Sequence, residues 1–198
     1  MRATLFDTDP PLADTGRSAV AATVSWLEQA VIGLDLCPFA KAVRAKDQVR
    51  FVISDARGWA ALRSDLADEL ADLAAADPAI AETSLLVCPN VPADFEAFNQ
   101  FLDEADDAVR GLDLEGVIQV ASFHPHYRFE GTDEGDVTNA TNRSPYPTLH
   151  LLRESSVERA VAVLSDPDSI YEANLRTLAA LGAEGWARLQ ANWAPPTR

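Results

Sequence analysis

The chain has 198 residues, 47% apolar and 24% charged, with 16 basic and 31 acidic side chains and a net charge of −15. That length and composition fit a globular domain and exclude a disordered chain, and the surplus acid argues against nucleic acid and anionic membranes as partners. No apolar run approaches the ~20 residues that span a bilayer and the first residues lack a basic-then-apolar leader pattern, so a cytoplasmic location is expected, with Cys37 and Cys88 as free thiols.

Residues 1–15 carry Pro10, Pro11 and several aspartates and read as a loose arm. A single α/β domain is expected over 16–190, followed by a Pro-rich tail over 191–198 that docks through Trp193. Val20, Val24, Leu27 and Val31 recur at helical spacing, and Gly33 ends that helix. A second short helix is expected from Pro38 to Arg44 with Cys37 as its cap, because proline suits the first helical position. Val49 to Ser54 reads as a strand. Trp59, Leu62, Leu66, Leu70 and Leu73 then line one face of a helix that ends near Asp77-Pro78.

Ser84 to Cys88 is a short apolar run between breakers, the pattern of a buried strand. Phe95, Phe98, Leu102, Ala105 and Val109 mark the next helix, Val117 to Phe123 a third strand, and Thr148 to Leu152 a fourth. Ser155 to Glu158 has capping-box spacing ahead of a further helix. A last helix from Asp168 to Leu181 is expected to turn Tyr171, Leu175 and Leu178 inward. The alternation predicts an α/β or α+β sandwich of two to three layers. It would hold a mixed sheet of about four strands, flanking helices and an additional N-terminal helix pair.

Between the third and fourth strands, His124 to Pro147 shows no period. Structureless connections beyond about 12–15 residues are uncommon in compact domains and are usually functional. All three histidines, His124, His126 and His150, fall in or beside this stretch. His124 and His126 stand two apart on an extended chain, which points both imidazoles one way. With Asp136 and His150 they form a candidate zinc-type set, the basis of one reading as a metal-dependent hydrolase. Equally, the histidines could hydrogen-bond the loop to itself.

Arg143 and Arg153 present forks suited to an anionic substrate, with Asn142, Ser144 and Tyr146 as further binding candidates. Those polar residues are equally good turn formers. His124 or His150 would act as acid or base. Cys37, at a helix start, would have its thiol activated, while the opposing reading is a packed core cysteine. Cys37-Pro38-Phe39-Ala40 resembles half of a glutaredoxin-type motif, but the helix expected before it rules out that fold. No Gly-rich phosphate loop, nucleophile elbow, paired CxxC or HExxH occurs, so no nucleotide cofactor is expected and a divalent metal is the one cofactor considered.

Three strings resemble hallmark segments of the bacterial family known as domain of unknown function 1415. They are Leu36 to Ala40, Ala121 to Pro125, and Asn142 to Pro147 continued by Leu149 to Glu154. The resemblance spans roughly residues 18 to 182. It implies a bacterial, soluble protein and no assigned activity. It also implies that the His126 position is often acidic, which favours Cys37, His124, Arg143, His150 and Arg153 as the site. The leading expectation is an enzyme acting on a small anionic molecule. A metal-dependent hydrolase and a non-enzymatic binding or assembly protein, with the loop as a clasp, are the alternatives.

Overall fold

A computed structural model describes residues 2–4, 14–162 and 168–193. The first helix, α1 (Asp14–Trp26), runs into a π-helical segment, Leu27–Ile32, that buries Leu27, Ala30 and Val31. Gly33 is required where this segment ends, because a Cβ there would fall on the Gln29 carbonyl oxygen. After a turn comes α2 (Ala40–Ala45), which starts at Ala40 with Phe39 as its cap residue. Cys37 is therefore not a helix cap: its carbonyl accepts from Ala40 N at 3.2 Å within a turn, and the cap residue is Phe39.

The strands are β1 (Arg2–Thr4), β2 (Val49–Ser54), β3 (Thr83–Val87), β4 (Ile118–Phe123) and β5 (Thr148–Arg153). They form one mixed sheet in the order β1-β2-β3-β5-β4. Only β2 and β3 run parallel; the other neighbours are antiparallel. The four expected strands are present, and Arg2–Thr4, within the expected arm, adds a fifth at the edge.

Helices α3 (Trp59–Ala75) and α4 (Phe95–Gly111) join the strands in sequence. Asp94 caps α4, accepting from Ala97 N at 2.7 Å. Helix α5 (Glu154–Ala162) starts directly after β5, one residue ahead of the expected capping box. Helix α6 (Asp168–Gln190) breaks at Gly182, whose φ of 69° suits glycine.

Strand alternation builds two cores. One face of the sheet, with Val52, Leu86, Leu149 and Leu151, packs against Leu62, Leu66, Leu70 and Leu73 of α3 and Phe98 and Phe101 of α4. The other, with Phe51, Ile53, Leu85 and Val87, packs against Trp26, Leu27, Ala30 and Val31 and against Leu178 and Trp186 of α6. The result is three layers. Leu178 is fully buried as expected, but Tyr171 is 53% exposed and Asn174 takes the inner position. Asn174 Nδ2 donates to Leu36 O at 2.9 Å, tying α6 to the turn before Cys37. Trp193 is buried and meets Trp186 at 6.0 Å; residues 194–198 of the expected tail and residues 1 and 5–13 of the arm lie outside the described residues. No helix among the described residues is long and apolar enough to cross a membrane.

Candidate functional site

The second face of the sheet is left partly open. Its floor is set by register: Leu85, His150 and Ala121 lie side by side, then Thr83, Leu152 and Gln119. Phe123 extends it at one end. The π-helical segment and the turn to α2 form the opposite wall through Trp26, Leu27, Val31, Cys37 and Phe39, and α5 contributes Ser156, Val157 and Arg159. The enclosed cleft has a volume of about 640 Å³ and mainly apolar walls. Its size is that of a small-molecule site. Trp26 steadies the Phe123 end by an edge contact at 5.1 Å.

His150 stands in the middle of this floor. Its Nε2 lies 2.8 Å from Thr83 Oγ1. The single hydroxyl hydrogen of Thr83 is given to Leu151 O at 2.6 Å. Thr83 can therefore only accept from the imidazole, which places the proton on Nε2 and a lone pair on Nδ1. Burial pushes the pKa of His150 down to about 4, so the ring is neutral at neutral pH. Cys37, half-buried on the same cleft, and Cys88, fully buried, are both free thiols. Burial and the neighbouring Asp65 push the Cys88 thiol well up, which makes it inert.

His124 belongs elsewhere. It is fully buried between Phe95 and Phe98 at ring distances of 5.5 and 5.3 Å. Its Nδ1 accepts from His126 N at 3.1 Å, which leaves the proton on Nε2, a nitrogen with no acceptor among the described residues. Burial, then repulsion from His126, lower its pKa to about 4 against a smaller opposing pull from Asp94. His126 is exposed. Asp136 caps the short 3-10 turn over Val137–Asn142, accepting from Thr138 N at 2.9 Å.

The expected metal set of His124, His126, Asp136 and His150 is thus not assembled. His124 has its acceptor nitrogen committed to backbone, and His150 faces the cleft on the sheet. No group of three or more His, Cys, Asp and Glu among the described residues is placed to hold a metal ion.

The arginines are also committed. Arg143 donates to Tyr127 O at 3.2 Å and Glu134 O at 2.6 Å, so it fastens the loop and does not line the cleft. Arg153 is buried and gives Nη2 to Leu73 O, Ala76 O and Ala81 O at 2.6, 2.8 and 3.2 Å, closing the C-terminal end of α3. Ser144 donates to Tyr146 O at 2.6 Å, and Tyr146 packs on the core beneath. Asn142 reaches the cleft wall, and its carbonyl accepts from His124 N at 3.1 Å.

Of the sequence candidates, Cys37, Asn142 and His150 therefore share the cleft with part of Arg153. Nothing in the sequence marks Thr83, which fixes the tautomer of His150, or Arg159 as part of the site. A lone threonine at a strand start and a lone arginine on a helix carry no local signal.

The three strings that carried the family resemblance, 36–40, 121–125 and 142–154, each contribute residues to this one cleft. The chain belongs to the family described as Protein of unknown function (DUF1415), whose model matches residues 18–188. Neither a curated protein nor a solved structure matches it.

Proposed function

We propose, for a member of a family whose description carries no activity, that this protein is an enzyme acting on a small molecule held in the cleft between the β3-β5-β4 face and the π-helical segment. The observation that carries this reading is that Cys37 and His150 line the same cavity. Cys37 is the nucleophile. His150 is neutral at working pH, with Nδ1 as its acceptor, and takes the thiol proton as sulfur adds to a doubly bonded carbon of the bound molecule; the opened π pair moves to the neighbouring atom, which takes the proton back from His150. An imidazole with so low a pKa is a weak base, but all of it is in the accepting form. The loop from His124 to Pro147 has the separate task of a clasp. Its polar groups bond its own backbone, as when Asn139 Oδ1 accepts from Phe129 N at 3.0 Å.

The apolar walls favour a second reading, binding without chemistry, and one labelling series separates the two. N-methylmaleimide and N-octylmaleimide are reacted with the native protein. Cys37 labels and Cys88 does not. The octyl reagent reacts about tenfold or more faster, with saturation, because part of its chain is buried against the floor. Rates independent of chain length would remove the cleft as a small-molecule site. His150→Leu keeps the floor apolar and removes the acceptor. A several-fold slower reaction with the methyl reagent supports thiol activation, and an unchanged rate leaves a binding protein.

A further inference from the structure

The two ends of the cleft differ in chemistry. The five residues from Phe123 to Gln119, four strand rises apart, make a floor about 13 Å long. One end is aromatic, with Trp26 against Phe123. The other holds Gln119, Thr83, Ser156 and Arg159, with Arg153 behind them. In a chain of net charge −15, eight arginines have acidic company among the described residues. Arg153 does not: its guanidinium is bonded to three neutral carbonyls, its Nε has no acceptor, and no carboxylate among the described residues pairs with it. Arg159 lies at the mouth, 70% exposed, bonded to Ser156 Oγ at 2.8 Å and more loosely to Glu82 at 3.4 Å. The charged side chains that line the cleft are Arg153 and Arg159 against Glu82. A buried cation without a carboxylate partner at the edge of an apolar cavity favours an anion through its field, even without contact.

We infer that the molecule bound in the cleft is an apolar carboxylic acid, its body along the β5-β4 floor and its carboxylate at the Arg159 end, where it displaces Glu82. The inference rests on the cleft being the functional site. Ser156 and Gln119 supply hydrogen bonds beside the charge. The expected anionic substrate is thereby kept, but its recognition moves from Arg143 to Arg159, with Arg153 acting from beneath.

The test uses the full chain with decanoate and decan-1-ol as probes, below the concentration at which either aggregates. Binding is measured by calorimetry and by protection of Cys37 from N-ethylmaleimide. Decanoate is expected to bind about tenfold more tightly than decanol, the value of one charge-assisted contact. Arg159→Glu, on an exposed helix position, is expected to abolish that preference by weakening decanoate about tenfold or more beyond any change in decanol. Equal binding of the two probes to the wild type, or a preference that survives Arg159→Glu, would overturn the acid head group while Cys37 protection kept the cleft. Failure of both probes to bind or to protect Cys37 would overturn the cleft reading, and this inference with it.

Discussion

Arg50→Ala is expected to destabilise the fold by about 2–4 kcal/mol, the range for stripping a buried carboxylate of a partly exposed cation. Glu69 is fully buried between α3 and the sheet, and Arg50 Nε lies 3.2 Å from its Oε1. Ser84 Oγ donates to the same oxygen at 2.7 Å, and Arg50 Nη2 reaches Asp72 at 3.3 Å. The pair joins β2, β3 and α3 at one point. Without the Arg50 cation, the Glu69 carboxylate keeps the Ser84 hydroxyl but loses its cation beside a mainly apolar core. Replacing both partners, as Arg50→Met with Glu69→Met, removes the charge as well and is expected to recover more than half of the loss. Urea unfolding of the three proteins checks both statements. A cost below about 1 kcal/mol for Arg50→Ala would show that solvent already screens the pair.

Acid is expected to weaken the protein well before its carboxylates are neutralised. His124 and His150 both have pKa values lowered from 6.5 to about 4, chiefly by burial. The unfolded chain takes up protons at these positions as pH falls through 6.5; the folded chain does not until about 4. Between those limits the unfolded state binds more protons, so stability rises with pH and is lost as pH falls. Each histidine contributes up to about 1.4 kcal/mol per pH unit in that window. A proton on His124 Nδ1 would also face the His126 N–H that this nitrogen accepts from. His124→Phe is expected to reduce the slope of unfolding free energy against pH by about half a proton at pH 6.5, rising to about 0.9 proton between pH 5.5 and 5. An unaltered slope would mean that His124 is protonated in the fold.

Much of the fold was legible because its strands are short apolar runs bounded by breakers. Val49–Ser54 and Thr148–Arg153 are examples, both set against buried cores by alternation. The helix faces of α3 and α4 followed from leucine and phenylalanine spacing. Errors came where a side chain's partner lies far along the chain. Helical spacing turns Tyr171 toward an inward place that belongs to Asn174, because an amide reads as surface until its acceptor, Leu36 O, is known.

Pro38 suggested a helix start at Cys37, yet the chain makes a turn first, and α2 begins two residues after the proline. The site was half legible. Loop length drew attention to residues 124–147, but length does not distinguish a clasp from a binding loop. Asn139, Arg143 and Ser144 all bond neighbouring backbone. The cleft lies where that loop meets strand β5 and the distant Cys37 turn, a meeting that only the sheet order brings about.

The central claim, that Cys37 and His150 share one ligand cavity, is tested most directly by nuclear magnetic resonance of the three imidazoles, assigned with single histidine variants. Attaching N-octylmaleimide to Cys37 should shift the ring resonances of His150 strongly and leave those of His126, exposed on the loop, in place. An adduct that leaves His150 unmoved would contradict the shared cavity.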